Sequence, residues 1–256
     1  MRQTYLSQIG LGLLSLALFV ALWQGVAWLG GYPAFILPSP GTVVARLGSL
    51  VGDGSLWRHT SVTLRVVLAG LGMGALAATL VGYGLAHSPV AERLLAPYFV
   101  GSQSVPVVAI APLLVIWFGT GLLSKVLVCA LTVFFPILVN TMVGIRSVER
   151  DLHDLMRSLE ASRWQTIWQL EVPAALPVFM GGLKVGATLA VIGAIVGEFV
   201  ASDQGLGYLL KQGQQLYDTA LVFVSIGTLI VLAQALYGAV ALAERVLLRW
   251  QVEAEK

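Results

Sequence analysis

Twenty consecutive residues, VLVCALTVFFPILVNTMVGI at positions 126–145, carry no charged side chain. A helix of roughly 20 apolar residues is what crosses the ~30 Å hydrocarbon layer of a bilayer. Five further runs of similar length, at 9–29, 66–86, 94–118, 177–200 and 220–242, bring the candidate spans to six. Little polar sequence is left between them, since 11% of the chain is charged and its mean hydropathy is +0.86. A soluble domain covers itself with about 25% charged residues, so lipid is the outer solvent of this chain. The expected fold is all-α, a polytopic membrane protein of about six transmembrane helices.

The first run exceeds the roughly 7–15 residue core of a cleaved signal peptide and reads as a retained membrane helix. Six spans put both termini on one side. If that side is the cytoplasm, its segments hold nine basic residues, Arg2, Arg93, Arg146, Arg150, Arg157, Arg163, Arg245, Arg249 and Lys256. The outer segments then hold four, Arg46, Arg58, Lys125 and Lys211. The positive-inside bias favours that orientation. Between the first two spans, ILPSPGTVVARLGSL places Val43, Val44, Leu47 and Leu50 at near-helical spacing. This stretch is too short to cross and is expected at the outer interface. The chain divides into a first helix with this segment (1–56), a transmembrane domain (57–245) and a cytoplasmic tail (246–256).

Several function classes are excluded by what the residues do not form. A net charge of +2 without a basic stripe gives nucleic acid no footprint. His59, His87 and His153 are far apart in sequence and show no metal spacing. Cys129 lies alone in an apolar run and reads as a small buried hydrophobe. No G-x-x-x-x-G-K-[ST] phosphate loop occurs, so no cofactor is expected on this chain and ATP would be used by another. A membrane enzyme finds no G-x-S-x-G or Cys–His pair to support it. An ATP-independent secondary carrier is the alternative class, although the two halves lack the paired broken spans such carriers show.

One segment does not belong in a bilayer. In residues 152–173 the apolar positions Leu155, Met156, Leu159, Trp164, Ile167, Trp168 and Leu170 recur at three- and four-residue intervals, an amphipathic helix or two short ones. Pro173 and Pro177 would end it and start the next span. Such a segment either fills a partner's groove or lies on lipid headgroups.

Here the chain resembles the permease subunits of binding-protein-dependent ABC importers, whose cytoplasmic loop reads E-A-A, three residues, G, nine residues, I-x-L-P. Glu160-Ala161-Ser162 is a match in the wrong register. Counting back from Pro173 puts Asp154 on the Glu, Leu155 and Met156 on the two Ala, Glu160 on the Gly, Leu170 on the Ile and Val172 on the Leu. With Glu160 in the glycine position, the sequence does not provide for a left-handed turn there. The flanks ASRWQTIWQLEVPAALP, GGLKVG and GEFVASDQGLGYLL, with LPSP and SVPVVAIAPLLVIWFGTGLLSKV, are similar to the nitrate, sulfonate and taurine branch.

The resemblance implies a cytoplasmic ATPase subunit as partner, contacted through Asp154, Leu155, Met156, Ser158, Leu159, Ala161, Ser162 and Trp164. It further implies an extracytoplasmic solute-binding protein and a permease homodimer in the cell membrane. The wording VIWFGTGLLSKV and LKVGATLAVIGAIVGEF is closer to members handling vitamin-like heterocycles, riboflavin or a thiamine-precursor pyrimidine, than to those handling sulfonate or nitrate.

Polar groups inside spans are costly and invite a functional reading. Gln103 and Ser104 precede Pro106 and Pro112, which free backbone groups and suggest an unwound stretch along a substrate path or a packed kink. Glu198 follows a glycine-rich span and could face that path or the interface. Asn140 is a further path candidate, or with Thr141 a tie between helices. Lys184, inside the fifth span, can snorkel to the cytoplasmic interface.

Overall fold

The computed structural model describes residues 2–249, with side chains described at 11, 14, 15 and from 17 onward. Of the tail expected at 246–256, residues 250–256 lie outside the described residues. In chain order the helices are α1 (Arg2–Leu29), α2 (Pro40–Gly52), α3 (Ser55–His87), α4 (Pro89–Gln103), α5 (Val107–Phe118) and α6 (Leu122–Arg146). They continue with α7 (Arg150–Ser158), α8 (Arg163–Thr166), a π turn at Ile167–Glu171, α9 (Val172–Ala201), α10 (Leu206–Gln215) and α11 (Thr219–Leu247).

Among the described residues, four helices are long and apolar enough to span a bilayer: Ser55–His87, Leu122–Arg146, Arg163–Ala201 and Thr219–Leu247. The run expected as a span at 94–118, unwound or kinked at its prolines, is the pair α4 and α5, bent by 95°. Pro106 explains the break. It lacks an N–H, and it disfavours the helical conformation of the residue before it, so α4 stops at Gln103 and α5 restarts at Val107. The run at 9–29 falls within α1, whose described apolar stretch is Ala17–Leu29, shorter than a span. The run expected to begin at Pro177 is part of a continuous helix starting at Arg163.

The core is α6 held between α3 and α9. In lipid the hydrophobic effect does not drive helices together, so close packing of small side chains must do so. On α3 the stripe Gly70, Gly74, Ala78 and Gly82 is buried. A Cβ built on Gly74 would lie 2.7 Å from Ala130 O of α6, and one on Gly82 would lie 3.0 Å from Leu138 O. On α9, Gly193 comes equally close, 2.8 Å from the Cα of Cys129. Cys129 is fully buried between the two stripes, its thiol donating to Ala190 O at 3.2 Å.

Lys184 Nζ lies 3.0 and 2.8 Å from the two carboxylate oxygens of Glu244, a part-buried ion pair that joins α9 to α11.

At one end of the bundle, α2 lies across α3 and α11. Ser39 Oγ caps it by accepting the Thr42 N–H, and Pro40 fills a first-turn position where no N–H is needed. These are the physical contents of LPSP. Leu50 of α2 is buried, and Arg46 Nε donates to Asp218 Oδ2 at 2.9 Å while Asp218 Oδ1 caps α11. Trp23 of α1 donates to Pro38 O at 3.0 Å and stacks on Phe223 of α11 at 5.1 Å.

Candidate functional site

The charged segment that the sequence places outside the membrane forms a corner of two helices. Helix α7 has no buried residue. It ends by two bonds: Glu160 N–H donates to Arg157 O and Ala161 N–H donates to Met156 O, each at 3.0 Å. This is a Schellman cap, which needs a left-handed residue at its centre, and Glu160 supplies it with φ 53°. The left-handed turn is therefore present although the glycine is not. The corner closes with a capping box: Gln165 N–H donates to Ser162 Oγ, and Ser162 N–H donates to Gln165 Oε1 at 2.8 Å.

This geometry sorts the residues singled out from the sequence. Leu155, Leu159 and Trp164 are more than half exposed, as is Trp168, which meets Trp164 edge-on at 5.7 Å. Met156 is half-buried. Asp154 is exposed and paired with Arg157 at 3.1 Å, and its carbonyl accepts the Ser158 hydroxyl. Ala161 and Ser162 build the turn itself. The corner thus holds large apolar side chains open to the outside, with the acidic groups of Asp154 and Glu160 beside them.

Behind the corner is a cluster the sequence did not reveal. Glu171, in the π turn, is 4% exposed. Its Oε2 accepts the Tyr83 hydroxyl at 2.8 Å, and its Oε1 lies 3.1 Å from His87 Nε2 and 3.3 Å from His153 Nε2. Three separate segments, α3, α7 and the base of α9, meet on one carboxylate. Two histidines that sequence spacing held apart converge here. The π turn has its own cause. Val172 N–H reaches back five residues to Ile167 O, a wider turn just before Pro173, whose ring would collide with a carbonyl in a regular helix. The cluster borders a cavity of about 680 Å³, also lined by Arg157, Arg163 and Thr166.

The path candidates fall in different places. Gln103 and Ser104 are exposed at the break between α4 and α5, with Ser104 Oγ donating to Val100 O. Asn140 Nδ2 donates to Pro136 O within its own helix, and its side chain packs over Gly182 of α9. Thr141 likewise bonds back to Ile137 O, so neither side chain makes the hydrogen bond between helices that the sequence suggested.

Glu198, expected to face a path or the solvent, is fully buried in a cage. Thr63 Oγ1 donates to its Oε1 at 2.8 Å and Gly207 N–H donates to its Oε2 at 2.7 Å. The same Thr63 oxygen accepts the Leu206 N–H, and His59 Nδ1 accepts the Gly205 N–H at 3.0 Å. Gly205 sits at φ 111°, where a side chain would be strained and would collide with the Glu198 carboxylate. The string GEFVASDQGLGYLL is the sequence of this cage.

Bilayer-length helices, glycine-lined helix contacts and a two-helix corner standing off the bundle define a polytopic membrane protein. The chain belongs to the family of binding-protein-dependent transport system inner membrane components, whose family model matches residues 70–247. It is 48% identical, over 93% of its length and 88% of the relative's, to the riboflavin transport system permease protein RibX of Chloroflexus aurantiacus. It is 35% identical to the formylaminopyrimidine transport permease protein ThiX of Halalkalibacterium halodurans, over 91% of this chain and 93% of that one. In three dimensions it is similar to a chain of the MetNI methionine ABC transporter in inward-facing conformations. The TM-score is 0.58 at 17% identity, covering 76% of this chain and 95% of that one. The protein is a multi-pass inner-membrane permease subunit of an ABC importer.

Proposed function

We propose that the corner at 154–164 seats in a groove of a cytoplasmic ATPase subunit and passes the closure of that subunit on ATP to the membrane helices. The supporting observation is the exposure of Leu155, Leu159 and Trp164 on a corner whose backbone is fixed at both helix ends. Large apolar side chains held rigidly outside a bundle are costly in water, and interfaces draw most of their energy from a few such anchors. In this reading the corner and both termini are cytoplasmic, two copies of the permease enclose the path, and a soluble binding protein delivers cargo at the opposite face. ATP is hydrolysed by the partner, with residues 57–245 as the translocating domain. For cargo we favour a flat vitamin-like heterocycle, riboflavin or a pyrimidine precursor of thiamine, over nitrate, sulfonate or taurine. The riboflavin and formylaminopyrimidine permeases described above support that choice.

Leu159→Asp tests the reading. A carboxylate forced into the groove would lie buried without a partner. The variant is expected to insert normally, to lose the ATPase subunit on purification and to abolish uptake. Retention of a full complement of ATPase subunit with coupled transport would overturn it. Radiolabelled riboflavin, a formylaminopyrimidine and taurine, offered with the cognate binding protein, would then decide the cargo.

A further inference from the structure

We propose that a cavity at the cage end of the bundle binds the headgroup of a zwitterionic phospholipid, a phosphate joined to a primary ammonium, and that phosphatidylethanolamine is its occupant. The site is independent of the cargo and of the ATPase contact.

The cavity holds about 460 Å³ and lies where α2, the first turns of α3, the 202–207 loop and α10 meet. Charges of both signs line it. Arg46 and Arg58 supply cations and Asp53 and Asp203 anions, so the lining is neutral as a whole. Arg46 is engaged with Asp218, and Asp53 Oδ1 accepts the Ser55 N–H at 2.8 Å. Arg58 and Asp203, by contrast, enter none of the ion pairs among the described residues. Opposite charges that line one cavity without meeting leave room for a ligand that carries both.

A buried donor is aimed at the same space. His59 is 5% exposed and stacks on Tyr208 at 5.8 Å, with both rings on the cavity wall. Its Nδ1 receives the Gly205 N–H at 3.0 Å. A backbone N–H only donates, so Nδ1 is the lone pair and the ring proton is on Nε2. That Nε2–H makes no hydrogen bond among the described residues, where Nδ1 alone is engaged. No side-chain nitrogen or oxygen is sealed among the described residues without a partner, so this N–H opens on the cavity. A phosphate oxygen would accept from it and from the Arg58 guanidinium, in charge-assisted bonds. The ammonium would donate to Asp203 and to the free oxygen of Asp53.

Depth points to a lipid. The same end of the bundle carries exposed Trp28, Tyr32, Phe35 and Trp57, the residue types that gather at headgroup level. Trp57 directly precedes Arg58. Helix α2 leaves Val44, Leu47 and Val51 exposed, as an interfacial helix does. The two carboxylates then choose among headgroups. Phosphatidylethanolamine offers them N–H donors, phosphatidylcholine a positive charge without an N–H, and phosphatidylglycerol no cation. A headgroup seated here touches α3 through Arg58 and His59 and the 202–207 loop through Asp203, so it ties the loop over Glu198 to the start of α3.

The test takes the permease purified with its ATPase subunit in detergent, stripped of lipid, and titrates it with short-chain phosphatidylethanolamine, phosphatidylcholine or phosphatidylglycerol. Hydrogen exchange of the 202–207 amides reads occupancy. Wild type is expected to be protected at about tenfold lower phosphatidylethanolamine than phosphatidylcholine, the scale of one charge-assisted hydrogen bond, and least of all by phosphatidylglycerol. Asp203→Asn combined with Asp53→Asn should bring the first two lipids to parity. Arg58→Gln should weaken both alike, by about tenfold. Arg58, Asp53 and Asp203 are exposed, so these variants are expected to fold, and Arg93→Gln at the other end of the bundle should change no midpoint. Equal midpoints for the three lipids in wild type, or an undiminished preference in the double variant, would overturn the site. Protection by millimolar O-phosphoethanolamine equal to that by the lipid would overturn the lipid assignment and make the occupant a dissolved zwitterion. Protection gained only from the binding protein would replace the lipid with a protein contact.

Discussion

The hydroxyl of Thr63 donates to Glu198 Oε1 at 2.8 Å while accepting the Leu206 N–H at 2.7 Å, so one side chain of α3 fastens α9 to the first turn of α10. The expected consequence separates a structural carboxylate from a path-lining one. In Glu198→Gln the amide oxygen can accept from Gly207 N–H, while its N–H donates to Thr63 Oγ1, which turns its own proton toward His59 O at 3.3 Å. That variant should keep its thermal stability in detergent within about 1 kcal/mol and transport normally. Glu198→Ala orphans the buried Gly207 N–H and leaves a cavity, and should lose roughly 2–4 kcal/mol. Reduced uptake in a stable Glu198→Gln protein would instead return Glu198 to the path.

Glu160 holds a conformation that favours glycine, and the left-handed region costs other residues about 1–2 kcal/mol. Glu160→Gly should relieve this strain locally. Hydrogen exchange of the 150–162 amides is expected to slow by up to about tenfold, because the corner opens less often. Glu160→Val, β-branched at the same φ of 53°, should speed it.

The glycines of α3 divide by what lies opposite. A methyl on Gly74 would meet Ala130 O at 2.7 Å, whereas one on Gly72 would meet nothing within 4 Å. Gly74→Ala should cost about 1–3 kcal/mol by forcing α3 from α6. Gly72→Ala should be neutral or stabilising by up to about 1 kcal/mol. Detergent-resistance half-lives of the two proteins, measured side by side, check the contrast.

Lys184 and Glu244 are each about a quarter exposed at their side chains. Lys184→Met leaves an unpaired carboxylate in the bundle and should lower expression of folded protein, and Glu244→Gln should do the same from the other side. Combining them should restore much of the loss, because both charges are then gone. A double variant no better than the worse single one would show the pair to be incidental.

Much of this structure could be read from the sequence because it is governed by local rules. An uncharged run fixes α6. Pro106 locates the α4–α5 break, although not its angle, since a proline stops a helix without dictating where the next one points. Pro173 sets the register of the corner, but it does not end the helix: the residues before it widen into a π turn and the helix continues. The left-handed turn at Glu160 was not legible, because only the two backbone bonds around it show that the corner is worth its strain. Glu171 and Glu198 were beyond reach for a different reason. Their hydrogen-bond partners Tyr83 and Thr63 lie 88 and 135 residues away in sequence, and each carboxylate, seen alone, reads as an interfacial charge.

The unbroken helix from Arg163 to Ala201 is 39 residues long, about 58 Å at 1.5 Å per residue, nearly twice the hydrocarbon thickness. Trp164 of the corner stands at one end and Glu198 of the cage at the other, with no loop between them. Mechanically this is a single lever, softened at the π turn of Ile167–Glu171 and again at Pro177, which lacks the N–H of a regular turn. A tilt imposed on Trp164 would have one continuous helix through which to reach the 202–207 loop.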